Sequence, residues 1–273
     1  MARTLNIVGA GKVGRVLGRL FAASGAFSVQ DLLTRSGASA ADAAAFMGAG
    51  RAAGSVETMR DAGVWLLAVG DDAIMPVCER LAAQLRPGDI VFHCSGARSS
   101  SELQAAAAAG ALTASVHPIR SFADPATVAA SFHGTFCGIE GDARALAVLA
   151  PAFEAIDARI VPIDAAAKTV YHAASVFASN YLVTVMDAAL RAYGAAGIPD
   201  EVARQLAAPL AAETLENVLR LGPVQALTGP IARGDMATVA RQQAALGAWD
   251  EQTGELYRAL AASTVTLAAR RQS

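Results

Sequence analysis

The stretch TLNIVGAGKVGRVLGRLFAASG, residues 4–25, decides the fold. Its apolar start reads as a buried strand, and Gly9, Gly11 and Gly14 follow directly. Beyond them Val13, Val16, Leu17, Leu20 and Phe21 recur at helical spacing, so the glycines occupy a strand-to-helix turn. Each has its own physical task there. Gly9 permits the tight turn, Gly11 lets a pyrophosphate approach the backbone, and Gly14 lets the helix close on the strand. The helix N-terminus, with Lys12 and Val13 in its first turn, would offer amide donors and partial positive charge to phosphates. Three glycines alone would be weak grounds, but the strand before and the helix after them give a dinucleotide-binding reading.

Working outward, short β-branched runs alternate with alanine-rich helical windows. Strands are predicted at 4–8, 29–33, 63–69, 89–94, 112–116, 135–140 and 158–163, with helical windows such as 11–23, 38–47 and 73–85. The alanine tract at 105–110 reads as helix, since alanine is the best helix former. This pattern predicts an α/β fold with a doubly wound, mostly parallel sheet of Rossmann type. After Pro162 only helical periodicity remains, at 165–193, 200–221, 235–246 and 250–270. The expected organisation is a nucleotide-binding domain over 1–163 and an all-helical domain over 164–273.

Of the 273 residues 54% are hydrophobic and 17% charged, which argues for a well-packed chain. A net charge of -2 and the absence of a Lys/Arg stripe argue against nucleic-acid binding. Asn6, Lys12 and Arg15 interrupt the apolar start and argue against a signal peptide. The apolar stretch at 173–186 is read as too short to span a bilayer, and so as a buried helix. Cys78, Cys94 and Cys137 read as buried thiols in a reducing compartment, hence a cytoplasmic protein.

The end of the second strand chooses between dinucleotides, because an acidic residue there would hold ribose hydroxyls. Here Asp31 comes too early, and the strand ends at Thr34-Arg35-Ser36. A guanidinium flanked by hydroxyls suits a 2'-phosphate, which predicts NADP. Ligands of open parallel sheets bind beyond the carboxyl ends of strands, so Val69-Gly70-Asp71 and Ser95-Gly96 should line the ribose and nicotinamide side. Asp71 and Asp72 would serve equally as helix caps.

The segments GAGKVGRVLG, LLAVGDDAI, HCSGA, HPIRSFADP, YHAASVFASNYLV and LTGPIARGD together resemble a family of two-domain bacterial proteins that pair a Rossmann-like domain with domain of unknown function 2520. The resemblance spans essentially the whole chain. Its first domain is similar to deazaflavin-dependent NADP reductases and pyrroline-5-carboxylate reductases, its second to the 6-phosphogluconate dehydrogenase and ketopantoate reductase group. This implies NADPH-linked reduction of a small carbonyl or imine acid, with a ketopantoate-like 2-oxo acid favoured, and a homodimer formed through the helical domain. A non-catalytic NADP-binding sensor and a deazaflavin-linked reductase are the alternatives.

Such a reduction needs a proton donor at the developing alkoxide and a cation for a substrate carboxylate. Lys168, His172, Ser175, Ser179 and Asn180 fall on or beside one helical face, a polar stripe in an apolar helix. Lys168 or His172 is the candidate donor; imidazoles ordinarily titrate near neutrality, whereas an amine needs a depressed pKa. Asn180 would orient the substrate oxygen, and Ser175 would bind substrate. His117 follows a predicted strand and could face the crevice, with Arg120 to attract a carboxylate, although His117-Pro118 could equally mark a rigid turn. Thr228 begins a turn before Arg233, a second candidate acid receptor, and Asp235 could cap the next helix. The four histidines lack metal-ligand spacing, so no metal is expected.

Overall fold

The computed structural model describes residues 2–271. The chain divides into two compact units, one running through Phe177 and the other from Ala178. The division falls later than 163/164, so the first helix after the sheet belongs with the sheet.

In the first unit β1 (Arg3–Val8), β2 (Phe27–Leu33), β3 (Arg51–Ala52), β4 (Val64–Leu67), β5 (Ile90–His93), β6 (Leu112–Pro118), β7 (Phe136–Gly141) and β8 (Arg159–Pro162) form one sheet. Their order is β3-β2-β1-β4-β5-β6-β7-β8. All pairs from β3 to β6 are parallel, β7 is antiparallel to β6, and β8 is parallel to β7. The first six strands therefore follow the doubly wound order, with its switch point between β1 and β4. The two-residue β3 was too short to register in the sequence.

The helices of this unit are α1 (Lys12–Ser24), α2 (Gly37–Met47), α3 (Asp71–Leu81), α4 (Gln104–Ala108), α5 (Pro125–Ala130), α6 (Ala143–Glu154) and α7 (Lys168–Ala178). Successive strand side chains point to opposite faces, so the sheet feeds two cores. Leu5, Ile7, Leu66 and Phe92 face α1, α2 and α6, whose Leu17, Phe21, Met47, Leu149 and Phe153 complete one core. Val8, Trp65, Leu67 and Val91 form the other with Ile74, Cys78 and Leu81 of α3 and Ala106 of α4. Phe21 stands edge-on to Phe27 and Phe153 at 5.1 and 5.2 Å between centroids. Each such pair adds about 0.5–1.5 kcal/mol beyond area burial.

The second unit is helical throughout: α8 (Asn180–Ala195), α9 (Asp200–Leu221), α10 (Pro223–Ala226), α11 (Gly229–Ala232), α12 (Met236–Trp249) and α13 (Glu251–Ala269). Asp235 caps α12 by accepting from the Thr238 N–H at 3.1 Å. The single helix expected over 165–193 is instead α7 and α8, interrupted at Ser179 (φ -129°, ψ -71°). The polar stripe therefore does not continue past the break in one register. By length and composition alone, the run Ala165–Ala195, which extends the 173–186 stretch at both ends, is long and apolar enough to cross a bilayer. It is not buried as expected: Val170, Phe177 and Val183 are 75%, 70% and 69% exposed.

Candidate active site

The turn after β1 gives each glycine a distinct reason to be glycine. Gly9 has φ +89°, and a Cβ there would lie 2.5 Å from the Ala68 carbonyl oxygen. A Cβ on Gly14 would lie 2.3 Å from the Gly9 carbonyl oxygen, so the bare backbone lets α1 close on the turn. At Gly11 a Cβ would meet nothing within 4 Å. Packing does not require that glycine, whereas a phosphate approaching the backbone would. Gly11 is also the N-cap of α1 and makes no side-chain cap bond, which leaves the first-turn amides open to an anion.

Thr34, Arg35 and Ser36 sit beyond β2 at the start of α2. Ser36 caps α2 by accepting from the Ser39 N–H at 3.2 Å, which keeps its own hydrogen free to donate. Thr34 is committed, donating its hydroxyl to the Ser36 carbonyl at 2.7 Å. Arg35 is exposed and has no ion-pair partner among the described residues. Asp31 is buried in β2 under Arg60 and Arg51, at 2.6 and 3.3 Å. Burial alone would raise its carboxyl, but the hydrogen bonds and charge of Arg60, aided by Arg51, outweigh that and hold it below the usual carboxylate range. Asp31 is thus a structural anchor.

Beyond the carboxyl ends of β4, β5 and β6 lies a cleft of about 280 Å³, lined by Val13, Ala68, Val69, Asp71, Cys94, Ser95, Gly96, His117, Pro118, Arg120, Phe122 and His172. It brings together five of the predicted cofactor residues, both candidate imidazoles and Arg120. Ser95 Oγ accepts from the Ala97 and Arg98 amides at 3.2 and 2.9 Å, so its hydrogen is available to a ligand. Gly70 caps α3 without a side chain, and Asp71 occupies the first turn. A Cβ on Gly96 would lie 2.3 Å from His172 Cδ2 and 2.8 Å from His117 Nε2, so this glycine lets both rings converge. The His117 and His172 ring centroids are 5.7 Å apart. His117 is pushed down to about 4 by burial first and by the neighbouring His172 and Lys168 charges, against the pull of Asp71.

Beneath the cleft, Lys168 is only 1% exposed and does not reach the lining. Its Nζ donates to Glu140 Oε1 at 3.0 Å and to Ser115 Oγ. Glu140 also accepts from the Ser100 N–H and hydroxyl at 2.9 and 2.7 Å, and Ser115 Oγ donates to the Ser95 carbonyl at 3.4 Å. Burial lowers the Lys168 pKa, and Glu140 opposes that fall. His93 adjoins this network: its Nδ1 accepts from the Ser95 N–H at 3.2 Å, so its Nε2–H donates to the Ser99 carbonyl at 3.0 Å. The β5 loop carrying Ser95 and Gly96 is thereby tied to α7 and β7.

The remaining candidates are placed differently. Ser175, on α7, is half-buried and outside the lining. Asn180 begins α8, Thr228 N-caps α11 and Arg233 follows it, all exposed in the second unit. Sequence reading missed Tyr171, whose Oη lies 3.0 Å from His117 Nδ1, and Glu140. Tyr171 directly precedes His172, but nothing local to the helix marks it, since its partners are on strands. Among the described residues no three His, Cys, Asp or Glu side chains gather as metal ligands.

Sheet order, glycine turn and cleft define a Rossmann-type α/β unit followed by a helical one. The chain joins a Rossmann-like domain, matched over residues 2–118, to domain of unknown function DUF2520, matched over 135–264. Protein TM1727 from Thermotoga maritima is 26% identical, covering 98% of this chain and 100% of that one, with a TM-score of 0.74. BF3122 from Bacteroides fragilis is 20% identical over 97% of this chain and 98% of its own, with a TM-score of 0.80. An imine reductase from Myxococcus stipitatus, solved with NADP+, shares the fold at 16% identity, 98% and 93% coverage and a TM-score of 0.67. No curated protein matches the chain.

Proposed function

We propose that the chain is a cytoplasmic NADPH-dependent reductase of a small carbonyl or imine acid, with a 2-oxo acid as the leading substrate. One juxtaposition carries this reading: an open phosphate turn at Gly11 lies in the same unit as a cleft holding two imidazoles. The imine reductase with NADP+ shares the fold and supports it. NADPH, when bound, supplies the hydride. The α1 amides would hold its pyrophosphate, Arg35 and Ser36 its 2'-phosphate, and Ser95 would donate on the nicotinamide side. His172 would furnish the proton, and the neutral His117 would polarise the substrate C=O or C=N.

Arg120 supports an acid substrate. Its Nη1 donates to the Ser131 carbonyl and to Thr135 Oγ1 at 3.2 Å, and its Nη2 to Ser131 Oγ at 2.5 Å. These bonds leave Nε–H and part of the Nη2 capacity of the guanidinium for a substrate carboxylate. The three free cysteines agree with a reducing compartment.

Following NADPH absorbance with a panel of 2-oxo acids and cyclic imines tests the reading. Oxidation is expected with NADPH in preference to NADH. Arg35→Ala should weaken NADPH about ten- to hundredfold, the worth of a charged hydrogen-bonded contact, and leave NADH unchanged. Binding without turnover would instead favour the sensor, and turnover only with a reduced deazaflavin the linked reductase.

Homodimerisation through the helical unit is supported by exposed apolar residues on α9, including Leu210 at 59% and Leu219 at 79%. Light scattering on a detergent-free column should give twice the chain mass; a monomer, or a detergent-dependent species, would count against it.

A further inference from the structure

Across the antiparallel β6–β7 pair His117 stands directly opposite Gly138. Because residue 138 has no side chain, the phenol of Tyr171 fits over it: a Cβ there would lie 2.5 Å from Tyr171 Oη. The hydroxyl thus comes within 3.0 Å of His117 Nδ1, with the rings near perpendicular at 86°. The opposite edge of the imidazole, Nε2, faces the bare α-carbon of Gly96 and the cleft. The two nitrogens of His117 therefore have separate surroundings, one closed by a phenol and one beside Gly96 at the wall of the cleft.

We propose that Tyr171 is a positioning residue that holds His117 as its Nε2–H tautomer, so that a neutral imidazole presents a hydrogen-bond donor to the cleft. That this donor meets the substrate oxygen or nitrogen rests on the reductase reading. Hydrogen-bond accounting carries the tautomer. A neutral imidazole has one N–H, and Tyr171 keeps its proton because burial pushes the phenol up to about 12. Were the hydrogen on Nδ1, the part-buried phenol would have to accept it, and its own hydrogen would lose the Nδ1 acceptor. With the phenol donating to Nδ1, both groups are satisfied and the imidazole hydrogen is left on Nε2. The titratable groups around the ring are His172 and Lys168 on α7 and Asp71 on α3, and none of them hydrogen-bonds Nδ1.

Nitrogen-15 spectra of the His117 ring in the intact chain, without substrate, decide this. The wild type should show Nε2 protonated and Nδ1 bare. Tyr171→Phe should keep the fold, visible in the same spectra, and lose the single tautomer. Gly138→Ala, which displaces the phenol while keeping it in the chain, should do the same. A wild-type Nδ1–H, or an unchanged tautomer in the folded Phe variant, overturns the proposal. In turnover, Tyr171→Phe should lower kcat roughly tenfold, about one hydrogen bond's worth, with the KM for NADPH unchanged. If no carbonyl or imine is reduced by the wild type, the reductase reading fails, while the ring spectra still decide the role of Tyr171.

Discussion

Glu140→Ala should destabilise the protein by about 3–5 kcal/mol, a large share of the stability of an ordinary domain. The change removes the carboxylate that pairs with Lys168 at 3.0 Å and takes both hydrogens of Ser100. The ammonium would remain almost wholly buried with only the Ser115 hydroxyl as partner. A charge left unpaired in that setting costs far more than the pair contributed when intact. Replacing both partners, as Glu140→Leu with Lys168→Met, should recover part of the loss, because two apolar chains leave no orphaned charge. Denaturant unfolding checks both, and a single-variant cost under about 1 kcal/mol would mean that water reaches the pair.

The second large effect is on binding. Gly11→Ala should cut NADPH affinity about a hundredfold or more while lowering thermal stability only by the modest penalty of alanine at an N-cap, about 1 kcal/mol or less. The new methyl meets no protein atom within 4 Å, and Gly11 has φ -69°, so the fold tolerates it. It would stand where a pyrophosphate must approach the first-turn amides, whose charge-assisted bonds are worth about 1.5–3 kcal/mol each. Gly14→Ala is the contrasting control. Its methyl would lie 2.3 Å from the Gly9 carbonyl oxygen, so binding and thermal stability should fall together. Titration of cofactor fluorescence beside thermal melts separates the two cases. Normal NADPH affinity in Gly11→Ala would remove the turn from the binding site.

The parts of this molecule that the sequence made legible are those encoded locally. Gly9, Gly11 and Gly14 announce themselves because turn, approach and packing each demand the same small residue at fixed spacing. Apart from the two-residue β3, the strands that build the sheet are short runs with turn residues between them, and they emerge where the pattern places them. The reversal of β7 was hidden because alternation along a strand reads the same in either direction. Glu140 and Tyr171 were hidden for a related reason: their partners are 28 and 54 residues away along the chain, and only the packing of α7 on the β6–β7 pair brings them together. Lys168 looked like a candidate donor because its helix offers no local sign that it points into the sheet. Ser179 gave no warning of a helix break, since neither glycine nor proline marks it.

The antiparallel β6–β7 pair fixes more than a hydrogen bond. Ser115 opposes Glu140 and His117 opposes Gly138, two steps along the same ladder. Lys168 seats on the first step and Tyr171 on the second, so α7 is pinned to the strands at two points three residues apart. One pin would let the helix swivel about its own axis; two remove that angular freedom, and His172 inherits its heading from them. A residue inserted between the pins would turn everything beyond it by about 100°. The imidazole would then leave the cleft even though every side chain that touches it had been kept.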